Sequence, residues 1–291
     1  MIRFSKYIWL YFLLSALVII PGLVTLARFG LRPAVDFTGG TLLEVKFSSP
    51  VTQKFVESVL EKQHVSAASI QQTGNNDFII RLKPQTNETL TNIENALKTV
   101  TGNKSELIRN ETVGPILGKE LLQKTVTAAI FAIIAILSYV AYAFKDIKFG
   151  VSAILALIHD LLVVIGVFAI LGHYLNVEVD TLFVTAFLTT MSFSVHDTIV
   201  VFDRIREMLK RGERMPFESI CDRALTETIG RSLANSLTII FMLLALVLMG
   251  GTSIHWFVFA LLVGTISGTY SSDFVATPIL ILWDKWEKRK K

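Results

Sequence analysis

The sequence predicts an α-helical, polytopic membrane protein with six transmembrane helices and an α+β extracytoplasmic domain between the first two. Three observations predict it. Of 291 residues, 52% are hydrophobic and only 18% charged, whereas soluble globular chains carry roughly 25% charged residues. The apolar residues gather into six stretches, each near the roughly 17–25 residues a helix needs to cross hydrocarbon. Between the first and second stretch lies a polar segment, residues 32–113, that contains no such run.

The six stretches are Tyr7–Ala27, Leu121–Phe144, Phe149–Leu171, Thr181–Phe202, Ala224–Gly250 and Trp256–Trp283. The first follows Arg3 and Lys6 as a signal peptide would. It is long and no A-x-A-like site follows it, so it reads as an uncleaved anchor, with a kink expected at Pro21-Gly22. Lysine and arginine mark alternate ends. They stand at Arg3 and Lys6, at Lys145 and Lys148, through 203–231, and from Lys285 to Lys291, whereas the short loops 172–180 and 251–255 have none. The positive-inside rule therefore puts both termini and the middle basic loop in the cytoplasm, and segment 32–113 outside. The chain divides into 1–31 (first helix), 32–113 (outer domain) and 114–291 (helices two to six, with a cytoplasmic loop at 203–223).

Within the outer segment the pattern reads strand (Thr41–Phe47), helix (Thr52–Lys62), strand (Ala67–Thr73), strand (Asp77–Lys83), helix (Glu88–Val100), strand (Glu106–Val113). Phe55, Val56, Val59 and Leu60 share one helix face, as do Leu90, Ile93, Leu97 and Val100. Asn75-Asn76-Asp77 after Gly74 signals a hairpin turn. Two amphipathic helices among four strands give β-α-β-β-α-β, a ferredoxin-like arrangement. Gly39-Gly40 allow a tight or positive-φ backbone at the first strand's entry. Gly114 and Gly118 flank Pro115 where the outer segment meets the second span, a place for a hinge. In the 203–223 loop, Ile205, Met208 and Leu209 recur at helical spacing, so the fourth span should run on as helix to Gly212. Pro216 should then open a short amphipathic helix.

Isolated charges inside hydrocarbon cost roughly 2.5–3.5 kcal/mol on insertion scales, so they face a protein interior and serve a function. His159-Asp160, His196-Asp197 and Arg231 stand out. At a rise of about 1.5 Å per residue, Asp160 lies about 16 Å into its span, near the midplane. Asp197 and Arg231 lie about 9 Å and about 10 Å from the cytoplasmic boundary, which suggests an ion pair. A carboxylate pulled one way by desolvation and the other by an arginine is suited to gain and lose a proton as helices move. Asp197 is thus the leading proton carrier, with Arg231, Asp160, His159 and His196 as further members of the coupling set. Asp273 adds an acid to the sixth span, where helix packing is the simplest role.

No H-E-x-x-H, G-x-S-x-G, G-x-x-x-x-G-K-[ST] or Cys-x-x-Cys motif occurs. With Cys221 alone, no disulfide forms within the chain. No catalytic, metal or cofactor site is expected, and no nucleic-acid partner. An ion gradient is the expected energy source.

The segments Val35–Val45 (VDFTGGTLLEV), Val113–Leu121 (VGPILGKEL), Ala156–Asp160 (ALIHD), His196–Glu207 (HDTIVVFDRIRE) and Gly230–Thr238 (GRSLANSLT) resemble those of the SecF family of bacterial protein-export membrane proteins. That family belongs to the resistance–nodulation–division superfamily. The resemblance spans the chain in order. It implies a SecD-like partner in a twelve-span unit, the SecYEG channel, and YajC and the SecA ATPase as further partners. It also implies an unfolded preprotein as client, location in the bacterial inner membrane among its lipids, and use of the proton motive force. It assigns proton conduction to Asp197 and Arg231, and marks Asp36, Phe37, Thr38, Gly39, Gly40 and Thr41 as the outer motif. Three positions depart from the family pattern. His196 replaces the usual Asn, Ser192-Phe193-Ser194 replaces Gly-Tyr-Ser, and Asp273 stands where an apolar residue is expected. Two alternatives remain at this stage: an exporter of small molecules or lipids from the same superfamily, and a passive scaffold for a channel.

Overall fold

A computed structural model describes residues 3–72, 76–100, 105–143, 146–212 and 215–290. The chain forms two compact units. One is Pro33–Thr127, and the other joins Met1–Arg32 to Ala128–Lys291.

The first of these contains a short helix α2 (Val35–Thr38), then β1 (Gly40–Phe47), α3 (Gln53–Lys62), β2 (Ala67–Gln72), β3 (Asp77–Leu82), α4 (Asn87–Val100) and β4 (Ser105–Val113). The strands form one antiparallel sheet in the order β2-β3-β1-β4. Strand periodicity puts Leu43, Val45 and Phe47 of β1 on the same face as Phe78, Ile80 and Leu82 of β3. Val56, Val59 and Leu60 of α3 and Leu90, Ile93 and Leu97 of α4 close over that face. Each such fully buried side chain contributes about 1.5–3 kcal/mol relative to exposure, which is what holds a domain of this size. Thr52 starts α3 by accepting the Phe55 N–H on its hydroxyl at 3.3 Å. The expected turn at Gly74 and Asn75 falls outside the described residues, as does the side chain of Val100.

The membrane unit begins with a 3-10 turn (Phe4–Tyr7) and α1 (Ile8–Phe29), which stays one helix through Pro21. The rest is α5 (Pro115–Ala143), whose first turns belong to the other unit, then α6 (Ile147–Leu175), α7 (Thr181–Lys210), α8 (Phe217–Met249), α9 (Thr252–Ser271), a π-turn (Ser272–Ala276) and α10 (Thr277–Lys290). Among the described residues these supply six helices long and apolar enough to cross a membrane. The fourth span does run on as helix beyond Phe202, to Lys210. The short helix expected after Pro216 is not separate. It is continuous with the fifth span, because nothing between Phe217 and Met249 breaks an i to i+4 ladder. The sixth span is interrupted by the π-turn, which inserts one residue into a single turn.

Small residues let the spans approach, since apolar lipid gives helices no hydrophobic reason to associate. A Cβ on Gly22 of α1 would stand 2.6 Å from the Gly166 Cα of α6. Gly264 and Gly268, one turn apart on α9, lie against Thr190 and Ser194 of α7. One end of the bundle is pinned by polar contacts. Asp222 accepts the Ser5 N–H at 2.8 Å and its hydroxyl at 2.7 Å. Lys148 lies 3.8 Å from Asp284, and Lys285 pairs with Glu218. At the other end Arg32 donates to the Asn176 side chain, and its carbonyl accepts the Val179 N–H at 2.8 Å.

Candidate functional site

The best-connected polar group in the membrane unit is Asp160. It sits on the face of α6 that turns inward with Ala153, Ala156 and Leu157, and only 3% of it is exposed. One carboxylate oxygen accepts from Ser194 of α7 and Ser271 of α9, both at 2.5 Å. The other accepts from Ser267 of α9 at 2.6 Å and meets His159 Nδ1 at 3.0 Å. The far nitrogen of the His159 ring meets the Ser15 hydroxyl of α1 at 2.9 Å. Groups from three helices, α6, α7 and α9, therefore meet at one carboxylate, and His159 links it to a fourth, α1. Charge-assisted hydrogen bonds of this kind are short and roughly twice as strong as neutral ones. Ser267 and Ser271 are one turn apart on α9, as are Gly264 and Gly268. The glycines allow close approach and the serines use it.

Asp197 is differently placed. It lies on α7 almost one turn beyond Ser194 and is half-buried. It accepts from Ser236 of α8 at 3.3 Å, and Ser232 lies one turn earlier on the same buried face of α8. Beside it is a small cavity lined by His196, Asp197, Asn235, Ser236, Thr265 and Thr269, among others. His196 is exposed, on a different side of α7 from Asp197's contact with α8.

Arg231 is not where depth alone suggested. The expected pair with Asp197 is absent from this structure. Ser232 and Ser236 face α7, and Arg231, about 100° further round the helix, is exposed. Asp273 is a further buried acid. It lies in the π-turn, is 1% exposed, and has one carboxylate oxygen without a hydrogen-bond partner. The π-turn packs against α7, the helix that carries Asp197.

In the unit Pro33–Thr127, Asp36, Phe37 and Thr38 form α2 and are followed by Gly39 at φ +73° and Gly40 at φ +146°. A Cβ on Gly40 would come within 3.0 Å of the Leu82 carbonyl oxygen. The Thr41 hydroxyl shares a hydrogen bond with that of Thr112 at 2.9 Å. Gly118 packs on the motif so closely that a Cβ there would stand 2.8 Å from Gly39 N and 3.2 Å from Phe37 O. Gly114 ends the link from β4, and Pro115 is the first residue of α5.

Sequence reasoning singled out Asp160 and His159 but not their partners Ser15, Ser194, Ser267 and Ser271. The recurrence of small residues every third or fourth position from Gly264 to Ser272 was the available signal.

The chain matches the C-terminal family of the protein-export membrane proteins SecD and SecF over residues 92–286 and the SecD/SecF GG-motif family over residues 24–51. The chain belongs to the SecD/SecF family. Similar proteins include the protein translocase subunit SecF of Thermobaculum terrenum, 43% identical over 98% of this chain and 94% of the relative. The SecF subunit of Vibrio alginolyticus is 37% identical over 96% of this chain and 89% of the relative. Among solved structures, SecDF from Thermus thermophilus, described as a translocon-associated membrane protein, superposes with a TM-score of 0.86 at 31% identity. That match takes in 98% of this chain but 39% of the SecDF chain. A SecDF structure in a super-membrane-facing form has the same identity and coverage with a TM-score of 0.67. Six spanning helices and SecF relatives make this SecD/SecF member a multi-pass membrane protein.

Proposed function

We propose that this chain, an accessory subunit of the Sec protein translocase by its family, uses the proton motive force to promote preprotein movement or release at the outer face of the membrane, with Asp197 as the proton carrier. The observation that carries the reading is the contrast between two acids one turn apart in depth. Asp160 is saturated by four donors, whereas Asp197 is held by the Ser236 hydroxyl at 3.3 Å beside a small cavity that His196, Asn235 and Thr269 also line. A loosely held carboxylate can change protonation; a saturated one transmits what its neighbours do.

A proton entering the cavity neutralises Asp197 and weakens its hold on α8. The driving force is about 2.3 kcal/mol per charge per 100 mV, more than a typical hydrogen bond's net contribution of about 1 kcal/mol. Movement of α7 displaces Ser194, and with it one of the hydrogen bonds to Asp160. Asp160 passes the change to His159 and Ser15 on α1, which leads by the chain itself into the Asp36–Thr41 motif. A turn of α8 by one residue, about 100°, brings Arg231 to the position Ser232 now holds. Arg231 is thus available to Asp197 in another state. Gly114, Pro115 and Gly118 are the hinge of this scheme. The outer β-α-β-β-α-β unit is read as a ferredoxin-like extracytoplasmic domain that touches the unfolded client. Both termini are cytoplasmic, the membrane is the bacterial inner membrane, and a SecD-like subunit and the SecYEG channel complete the machine.

Asp197→Asn, which keeps the shape and removes the charge, tests this in inverted membrane vesicles holding the channel and a SecD-like partner. The proton-gradient-dependent part of preprotein translocation should vanish while the ATP-driven part persists. Gradient stimulation at the wild-type level would leave only a passive scaffold. Intact protein export combined with lost lipid or drug efflux would move the chain to the exporter class.

A further inference from the structure

We propose that Asp273 is a second proton-carrying carboxyl, paired with Asp197 across the contact between α7 and the π-turn. The proposal rests on the proton-coupled reading above and extends it to a residue outside the family pattern.

Three independent features support it. Asp273 is almost fully enclosed, yet its Oδ1 has no donor among the described residues. The hydroxyls nearby are already committed. Ser267 and Ser271 donate to Asp160, Thr269 to the Thr265 carbonyl at 2.8 Å, and Ser272 to the Thr269 carbonyl at 3.2 Å. The residue also sits in the π-turn, a feature that frequently marks functional sites. Finally, the acids and imidazoles His159, Asp160, His196 and Asp197 lie on helices packed against the π-turn, whereas the cations of those helices stand far along them: Lys148 is 12 residues from Asp160 on α6, Arg204 seven from Asp197 on α7, Arg28 17 from Tyr11 on α1 and Lys285, beside Asp284, 12 from Asp273 on α10.

A buried carboxylate without a cation is expensive, and two that repel each other more so. The pair therefore holds one proton and one negative charge in its resting state. A proton arriving through the cavity beside His196 binds Asp197 and makes the pair neutral. When Asp273 passes its own proton to a water molecule that reaches it as the helices move, leaving as hydronium, the Asp197 O–H bond breaks and an O–H bond forms at Oδ1 of Asp273. The pair has then returned to its starting charge. A side chain whose task was packing would be better served by the apolar residue expected here.

The test compares Asp273→Asn, Asp273→Glu, Asp197→Asn and the Asp273/Asp197 double variant in vesicles containing the whole complex. Gradient-dependent translocation should be mostly lost in Asp273→Asn and regained in part by Asp273→Glu. The double variant should be no worse than Asp197→Asn alone. If Asp197→Asn abolishes the gradient effect and Asp273→Asn does not, the pair is wrong and the single carrier stands. If neither matters, the proton-coupled reading fails as well. Infrared spectra of the wild type and Asp197→Asn cover the case in which Asp273 variants do not accumulate. Wild type should show a protonated-carboxyl stretch that shifts, rather than disappears, when Asp197 is removed. Its complete loss would overturn the pairing.

Discussion

Replacing Gly264 by alanine tests the packing that brings the polar helices together. A Cβ at 264 would stand 2.5 Å from the Thr190 Cβ, whereas ordinary contact begins at 3.4 Å. The backbones of α7 and α9 must therefore separate by 3.4 − 2.5 = 0.9 Å, because Cβ atoms cannot move away by changing rotamer. The same separation stretches the bridge in which Ser194 from α7 and Ser271 from α9 both meet Asp160 at 2.5 Å. Overpacking a close-packed core costs about 1–3 kcal/mol. For a chain of this size that is a fall of roughly several degrees in melting temperature. Thermal unfolding of the detergent-purified complex, followed by intrinsic fluorescence, measures it. Thr190→Gly combined with Gly264→Ala removes the colliding atoms and should recover most of the loss. An unchanged melting temperature in Gly264→Ala, or equal losses in the single and double variants, would refute the claim that this glycine sets the α7–α9 distance.

Two further substitutions probe the α+β unit and the N-terminal turn. Gly118→Val should destabilise the outer unit by about 1–3 kcal/mol, because even a Cβ there meets the Gly39 backbone at 2.8 Å. Faster proteolysis within residues 33–113 is the readout, and Ile116→Val, at an exposed position on the same turn, should behave as wild type. Asp222→Ala removes both bonds that hold Ser5, at 2.8 and 2.7 Å, each worth about 1.5–3 kcal/mol when one partner is charged. Trypsin should then cut at Arg3 and Lys6 sooner than in wild type, with the rest of the chain protected as before.

The spans and the order of the outer unit's elements were legible because their signals are local. Hydrocarbon must solvate some 20 consecutive side chains per helix, and a sheet face repeats every second residue. Glycine pairs such as Gly39-Gly40 announced unusual backbone for the same reason: conformation at one residue depends on that residue's own side chain. The buried acids show where local signals end. Depth along a helix follows from counting, which put Asp197 and Arg231 near one level. Whether they meet depends on helix rotation, and the serines on α8 took the place given to the arginine. Asp160 and Asp273 make the same point. Both read as lone acids in apolar runs, but one is saturated by hydroxyls from neighbouring helices and the other has a bare oxygen.

By itself, then, the sequence determined which segments are apolar enough to span a membrane, which fold as the α+β unit, and which residues carry charge into the apolar interior. These follow from transfer free energies and short-range periodicity, quantities each residue carries wherever it goes. Only tertiary structure decided that Asp160 would join α6, α7 and α9, that Arg231 would face outward, and that a π-turn holding Asp273 would pack against α7. Those outcomes depend on crossing points and axial rotations between helices distant in sequence, which small residues such as Gly22, Gly264 and Gly268 permit but do not specify.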